Sequence, residues 1–440
     1  MTDPLAFVRD VVGAHRRCVW LDGGGARGWS GRRSLVGWLD DDDVSLTYDA
    51  TRREVRRHTD GRSVVVGDDV FAVLEAELAA GSSSDQWFGY LGYACRPDLP
   101  ARPDPELPDA VWMRPSRVRM FEHPEQPTAA TGPAGLAGLA GGDGRGDLPP
   151  PSYDSGFRAV QEALHGGHTY EANLTYREDA PGPAAPGGPL AVYERLRALN
   201  PAPYAGFLQH DVDDAWAWLL SSSPERYALL GPDPDEPART VVETRPIKGT
   251  TPRGSVPDAD EAARASLATD ERFRAENLMI VDLLRSDLAR VCDVGSVEVP
   301  RLMEVESYAS VHQLVSTVRG RLRADVGTVA ALHALFPAGS MTGAPKPRTM
   351  QVIDDVEATP RGVYAGAFGW VSGAGRADLG VVIRSLVTAG DGRYRLGTGG
   401  GITVHSDVAT EWAETRWKAE RLLAALAPSG PSAPASAESD

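Results

Sequence analysis

A chain of 440 residues with only three scattered cysteines (Cys18, Cys95, Cys292) and no CxxC or Cys/His cluster excludes a zinc module and a disulfide scaffold, and suits a reducing compartment. The formal charge of −16 argues against nucleic-acid binding, where a basic face supplies most of the affinity; an anionic ligand must instead be held by a local cluster of donors or by a metal. No run of about 18 apolar residues is present to span a membrane, and the N-terminus lacks the basic-then-apolar layout of a secretory leader, so a cytoplasmic protein with no membrane partner is expected.

Residues 1–121 alternate short β-like runs (44–48, and 63–66 stopping at Gly67) with turns, and one helix is expected near 71–80. The aromatic, glycine-dotted segment 86–93 suits a strand pressed against another backbone. Between 122 and 152, repeated Pro, Gly and Ala cannot build a core, which marks a linker or loop. From 153 to 426 the pattern is dense. Helices are expected at 155–166, 190–199, 258–291, 326–336 and 407–426. Strands are expected near 204–209, 215–221, 225–230, 239–247, 312–319, 364–371, 378–388 and 393–398, with 231–238 as a hairpin tip. Neighbouring strands joined by short turns, with helices beside them, indicate an α+β fold built on antiparallel sheets. Residues 427–440 read as a disordered tail.

Within this frame the segment Pro246-Ile247-Lys248-Gly249-Thr250 is chemically suggestive. Residues 241–245 read as a strand and Gly249-Thr250 as its turn, which puts Lys248 at a strand end. Desolvation there lowers an amine's pKa and makes Lys248 a candidate nucleophile; from spacing alone, a surface lysine beside a turn is the plainer reading. Two acidic helices follow. Glu276 edges the apolar run 274–284, while Glu411 and Glu414 stand three apart on one helical face, with Lys418 four residues further on. Mg²⁺ asks for one or two carboxylates plus waters and anionic substrate groups. Glu276 and Glu414 can supply that, although singly each reads as a salt-bridged or solvent-facing glutamate.

Three further elements point to an anion. Residues 339–346 end a loop and open a helix with proline in its first turn, offering backbone N–H groups and the hydroxyls of Ser340 and Thr342. Gly397-Thr398-Gly399-Gly400-Gly401 lets backbone approach a ligand closely. Arg384, late in the strand run 381–384, can pair bidentately with a carboxylate. In isolation these are plain turns and a surface arginine.

Taken together and in order, these pieces resemble the chorismate-utilising enzymes, the group that holds the large components of anthranilate synthase, aminodeoxychorismate synthase and isochorismate synthase. The resemblance is carried by Tyr170-Glu171-Ala172-Asn173-Leu174-Thr175, Ser223-Pro224-Glu225-Arg226, residues 244–250, 275–287 and 339–346, Tyr364-Ala365-Gly366-Ala367-Phe368-Gly369, Ile383-Arg384-Ser385, residues 399–402 and 411–418. It runs from about 153 to 426 and is weaker before that. It implies two large antiparallel sheets packed near-orthogonally with helices outside.

The resemblance also divides the chemistries. Anthranilate synthases carry alanine where this chain has Lys248, and aminodeoxychorismate synthases carry lysine. Isochorismate-forming relatives carry a water-activating lysine where this chain has Glu171. What this implies is amination of chorismate to 4-amino-4-deoxychorismate through a covalent Lys248 adduct, with Glu225 as acid and then base. It further implies Mg²⁺ on Glu276 and Glu414, with Glu411 orienting the metal's waters. Gly249, Thr250, Tyr364, Arg384, Gly399, Gly400 and Gly401 would contact substrate, with Ser340, Thr342 and Lys418 as additional contacts. The family's usual histidine before Leu-Val-Ser is Gln313 here, with His312 one place earlier and therefore on the opposite strand face. Gln313 cannot shuttle protons, which disfavours aromatisation by the same enzyme. No cysteine sits in a glutaminase-like elbow, so ammonia is expected from a separate glutamine amidotransferase subunit. The implied product belongs to para-aminobenzoate supply, for folate or for a secondary metabolite such as an antibiotic. The element 19–22 (Val19-Trp20-Leu21-Asp22) differs from that of tryptophan-inhibited relatives, and the competing readings are an anthranilate synthase component or a non-catalytic regulatory subunit.

Overall fold

The computed structural model describes residues 4–25, 33–123, 148–183, 187–212, 214–308 and 311–427. Most of the expected linker (124–147) and the tail (428–440) lie outside the described residues. Two antiparallel sheets and the helices around them make an α+β fold, as the sequence pattern indicates.

The nine-stranded sheet runs, in spatial order, Gly343–Ala344, Glu171–Pro181, Arg393–Ile402, Ser385–Thr388, Ala215–Ser223, Tyr204–Val212, Arg17–Asp22, Arg33–Leu39 and Arg117–Glu122. The twelve-stranded sheet begins Ile247–Pro252, Val311–Arg321, Thr240–Arg245, Arg226–Pro232, Ala377–Val381, Ala367–Ser372 and Gln86–Leu91. It continues through Ala110–Arg114, Val44–Asp49, Glu54–Thr59 and Arg62–Gly67, with Glu298–Ser307 also paired to Val311–Arg321. Strands from the first 121 residues thus enter both sheets.

Alternation along the strands builds three apolar layers. Val19, Leu208 and Leu219 meet Phe88, Val111 and Phe368 between the sheets. The next residues along, Trp20, Phe207 and Leu220, point to the other face and pack on the helices Leu5–Ala14, Gly188–Leu199 and Val408–Leu426. The far face of the larger sheet, with Leu46, Trp87 and Trp112, packs on the helices Val70–Ala80, Glu271–Ala289 and Thr328–Leu335. Aspartates start three of these helices. Asp69 accepts from the N–H groups of Phe71 and Ala72, and Asp407 from that of Thr410, satisfying amides that have no partner within the helix. Among the described residues, no helix is long and apolar enough to cross a membrane.

Four expectations about elements are corrected. The single helix 258–291 is two, Pro257–Thr269 and Glu271–Ala289, because the Asp270 side chain caps the second by accepting from the N–H of Phe273. The single strand 378–388 is also two, in different sheets. Arg384 lies in the gap between them with φ 51°, so it is not a strand residue. Lys248 does not end the strand 240–245. It is the second residue of a separate strand, Ile247–Pro252, that begins after Pro246. Lastly, Gly397–Gly401 lie inside the strand Arg393–Ile402 and form no turn before the helix. The strand Glu171–Pro181, which pairs with it along its length, was not among the expected elements.

Candidate active site

The chain crosses from the smaller sheet to the larger at Pro224-Glu225 and back at Ile383-Arg384. A cleft opens beside these crossings. Its walls are the strand ends bearing Asn173 and Gly397–Gly401, the strand 247–252, the helices bearing Phe273, Glu276, Glu414 and Lys418, and Ser340, Met341 and Tyr364. Of the sequence-predicted residues, the cleft brings together Lys248, Glu225, Gly249, Thr250, Ser340, Tyr364, Arg384, Gly399, Gly400, Gly401, Lys418, Glu276 and Glu414.

Lys248 is aimed by a β-bulge. Ile247 stands opposite Val315 but Thr250 stands opposite Gln313, so one extra residue is absorbed at Lys248-Gly249. Gly249 takes φ 94°, and a Cβ there would meet Phe273 and Leu267, so glycine is required twice over. The lysine is 8% exposed and forms a buried ion pair with Glu171, itself 1% exposed. Among the described residues, Glu171 Oε2 has no hydrogen-bond partner. The pair is seated against Gly401, where a Cβ would lie 2.5 Å from Glu171 Oε1 and 2.9 Å from Lys248 Nζ. Burial favours the neutral amine, but Glu171, then Glu276 and Glu225, outweigh it and raise the lysine's pKa. The expectation of an amine neutralised by desolvation is therefore corrected: Lys248 rests as an ammonium, and its proton must be removed before it can attack.

Two carboxylates near it behave in the opposite way to surface glutamates. Burial pushes Glu225 up to about 7, against the hydrogen bond from Ser340 Oγ (2.5 Å) and the attraction of Lys248 and Lys418. Burial likewise pushes Glu276 up to about 7, opposed by Lys248 and reinforced by Glu171. Such groups exchange protons at neutral pH, as general acid–base work requires.

Further out, Lys418 Nζ bridges Glu414 (2.8 Å) and the Gly399 carbonyl (2.8 Å). Lys418 is the main reason that the Glu414 pKa is lowered. Glu411 is 2% exposed, accepts from Ser406 Oγ at 2.8 Å and lies behind the wall, outside the cleft lining. Arg384 is half-buried, and burial, then Arg421, lower its pKa to about 10. Its guanidinium lies 5.4 Å from the Trp417 ring centroid, and no carboxylate forms an ion pair with it among the described residues. Such a cation is placed to take an anion from a ligand.

Thr342 is corrected. It is fully buried, its hydroxyl donates to the Gly339 carbonyl (3.1 Å), and it does not line the cleft. The N–H groups of Met341 and Thr342 are spent on Ala338 and Gly339 carbonyls, so this turn is not the anion cradle its sequence suggests. Gln313 does face the cleft, with Oε1 unpartnered among the described residues, while His312 turns away to Ser307 and Asp260. The sequence reading missed Asn173, Phe273 and Arg272. Asn173 had a signal, since it shares a strand face with Glu171.

Glu276, Glu411 and Glu414 offer only carboxylate oxygens, two of them buried, and this donor set has the hardness that Mg²⁺ prefers. Their side chains are not gathered into a cage: among the described residues no group of three His, Cys, Asp or Glu side chains is close enough to hold a metal. A site completed by waters and substrate fits this arrangement.

A family profile described as chorismate binding enzyme matches residues 143–424. The chain is 42% identical over 427 residues to a Streptomyces pristinaespiralis protein named aminodeoxychorismate synthase, covering 87% of this chain and 57% of the relative. It is 50% identical over 266 residues to the Streptomyces griseus protein of the same name, covering 60% and 35%. It is 40% identical over 279 residues to aminodeoxychorismate synthase component 1 of Klebsiella aerogenes, covering 63% and 58%. The chain thus spans less than two thirds of each of these relatives. Among solved structures, anthranilate synthase component I from Streptococcus pneumoniae superposes with a TM-score of 0.69 at 25% identity, covering 89% of this chain and 92% of that one. The menaquinone-specific isochorismate synthase of Escherichia coli does so with a TM-score of 0.67 at 17% identity, covering 97% and 92%, and so shares the fold. With the matched profile spanning well over half its length, this chain belongs to the chorismate binding enzyme family.

Proposed function

We propose that the chain aminates chorismate at C4, giving 4-amino-4-deoxychorismate, in the manner of the relatives named aminodeoxychorismate synthase. The observation that carries this is the buried Lys248–Glu171 ion pair, whose lysine lines the same cleft as Glu225. In the first step Glu171 takes a proton from the Lys248 ammonium. The freed amine attacks C2, the ring double bonds shift, and the C4–O bond breaks as protonated Glu225 gives its proton to the departing hydroxyl, which leaves as water. In the second step ammonia bonds to C4, the double bonds shift back and the C2–N bond to Lys248 breaks. The Glu225 carboxylate takes the proton from the new C4 ammonium, and Lys248 recovers its own from Glu171. Splitting one difficult substitution into two is what a covalent nucleophile achieves.

Arg384 takes one substrate carboxylate, and Tyr364, Gly249, Thr250 and the Gly399–Gly401 backbone shape the seat. Ser340 acts through its hydrogen bond to Glu225. Glu276 and Glu414, with Glu411 behind them, would hold Mg²⁺, which when bound would grip the ring carboxylate and offset the like charge of this wall. The three cysteines are buried, with Cys18 pushed by burial up to about 12 and Cys292 to about 11, the reverse of an activated thiol. Ammonia would come from a separate glutamine amidotransferase subunit.

Incubation with chorismate, Mg²⁺ and ammonium, followed by product identification by mass and chromatography, tests this reading. The expected product is 4-amino-4-deoxychorismate. Anthranilate or isochorismate would overturn the roles given to Lys248 and Glu171, and no turnover would favour a regulatory subunit.

A further inference from the structure

Arg272, one turn before Glu276, was not singled out by the sequence. Its guanidinium reaches three carboxylates on two helices. Nη1 lies 3.4 Å from Glu411 Oε1, Nη2 3.8 Å from Glu414 Oε2, and Nε 3.9 Å from Glu276 Oε1. Each nitrogen faces a different carboxylate, and none forms the short bidentate pair that makes arginine contacts strong. Lys418 approaches Glu414 separately, while Glu276 and Glu411 are 7% and 2% exposed. The guanidinium also lies 4.6 Å from the centroid of Phe273, an aromatic face that can hold a cation and that lines the cleft.

We propose that Arg272 is a built-in counter-ion that occupies the cation position between these two helices when no metal is bound, and that it yields that position to Mg²⁺. The proposal rests on the magnesium reading above. Three buried or half-buried carboxylates held together with no cation between them would repel one another and bear an uncompensated desolvation cost. A single guanidinium spread over three long contacts relieves that cost yet binds no one partner tightly. A dication, with twice the charge and stricter demands on oxygen geometry, can therefore displace it, and the Phe273 face provides a seat one residue away. In this role Arg272 is a positioning residue: it keeps the carboxylates apart and ordered, and sets the Mg²⁺ concentration at which the site fills.

The role makes an unusual demand on a mutation. A residue that merely supports the site would weaken Mg²⁺ binding when removed, whereas a competitor would strengthen it. The test is calorimetric titration of the full chain with Mg²⁺, without and with chorismate, for the wild type, Arg272→Gln and Arg272→Lys, alongside melting curves in chelator. Arg272→Gln is expected to bind Mg²⁺ about 5- to 10-fold more tightly, the scale of one partly buried ion pair. It should also melt lower without metal and gain more from its addition. Arg272→Lys, which keeps the charge, should stay near wild type. Unchanged or weaker Mg²⁺ affinity in Arg272→Gln, with the wild type binding normally, would overturn the counter-ion role and leave the magnesium reading standing. If Arg272→Gln does not fold, Arg272→Lys decides: its shorter reach must leave Mg²⁺ affinity equal to or tighter than wild type, and weaker binding would overturn the proposal. No binding by any of the three proteins, with or without chorismate, would bring down both readings.

Discussion

Two buried clusters of charge lie close together in this molecule and have opposite fates. Glu357 is buried behind the cleft and accepts five hydrogen bonds, from the Thr175 N–H and hydroxyl, from Arg177 and twice from Arg361. Burial alone would raise its pKa, yet Arg361 and Arg177 with these donors lower it. Glu225 and Glu276, at the cleft wall, have the same chemistry and comparable burial but few donors, and both rise to about 7. The first cluster is saturated and fixes backbone: Arg361 also ties the carbonyls of Met341 and Asn173. The second is left short of partners, which is what a site needs if protons and a cationic ligand are to arrive and leave. Satisfaction of hydrogen bonds, more than depth, separates scaffold from chemistry here.

The comparison is broken most severely at Lys248. Lys248→Ala should lower ammonia-dependent amination by roughly 10⁴-fold, as loss of a covalent nucleophile does. It should also destabilise the fold by leaving Glu171 buried without its cation. The double variant Lys248→Ala/Glu171→Gln should recover stability but no activity, and recovery of activity would end the nucleophile reading.

Much of this contrast is hidden in the sequence for definable reasons. The family resemblance, carried by ordered motifs, gathers Lys248, Glu225, Glu276, Glu414 and Arg384 around one site; taken singly, Lys248, Glu276, Glu414 and Arg384 read as ordinary surface or salt-bridged residues. The bulge at Lys248-Gly249 was invisible because it depends on register against the strand 311–321, which no local pattern records. The break at Arg384 was invisible because apolar residues continue across it while the chain changes sheets. The ammonium state of Lys248 depends on Glu171, 77 positions away in the chain, so local desolvation pointed the wrong way. Thr342 looked like a ligand because a hydroxyl in a glycine turn does not reveal whether it faces out or bonds its own backbone.

On the saturated side, Glu357→Gln should cost about 3–5 kcal/mol of stability, because two buried arginines lose their counter-charge. Urea denaturation would measure it, and a loss under 1 kcal/mol would show the cluster to be less coupled than its bonds imply. Glu225→Gln should lower amination about 100-fold, the lower range for a general acid–base group, with little change in chorismate KM. An unchanged kcat would remove Glu225 from proton transfer.

The pH dependence sharpens the contrast further. A carboxyl raised from 4.5 to about 7 binds more protons in the folded than in the unfolded state across that window, so folding loses stability as pH rises through it. In metal-free protein, Glu276→Gln should therefore stabilise by about 3 kcal/mol at pH 8 and by little near pH 4.5; equal effects at both values would contradict the raised pKa. The smallest change expected is from Gly401→Ala, which alters no charged group. Its methyl would part Glu171 from Lys248 and should cost about tenfold in kcat, the scale of a modest misplacement of reacting groups. Wild-type rates in that variant would show that the pair has room to move.

The interleaving of strands has a consequence for anyone shortening this chain. The family profile begins at residue 143, but Arg17–Asp22 is an interior strand, hydrogen-bonded to Tyr204–Val212 on one side and Arg33–Leu39 on the other. Gln86–Leu91 similarly lies between Ala367–Ser372 and Ala110–Arg114. A version starting near residue 148 would retain every cleft residue named above, yet expose two long rows of unpaired amides and carbonyls at 204–212 and 367–372. Bare strand edges of that kind recruit other chains, so such a truncation would be lost to aggregation before its chemistry could be assayed.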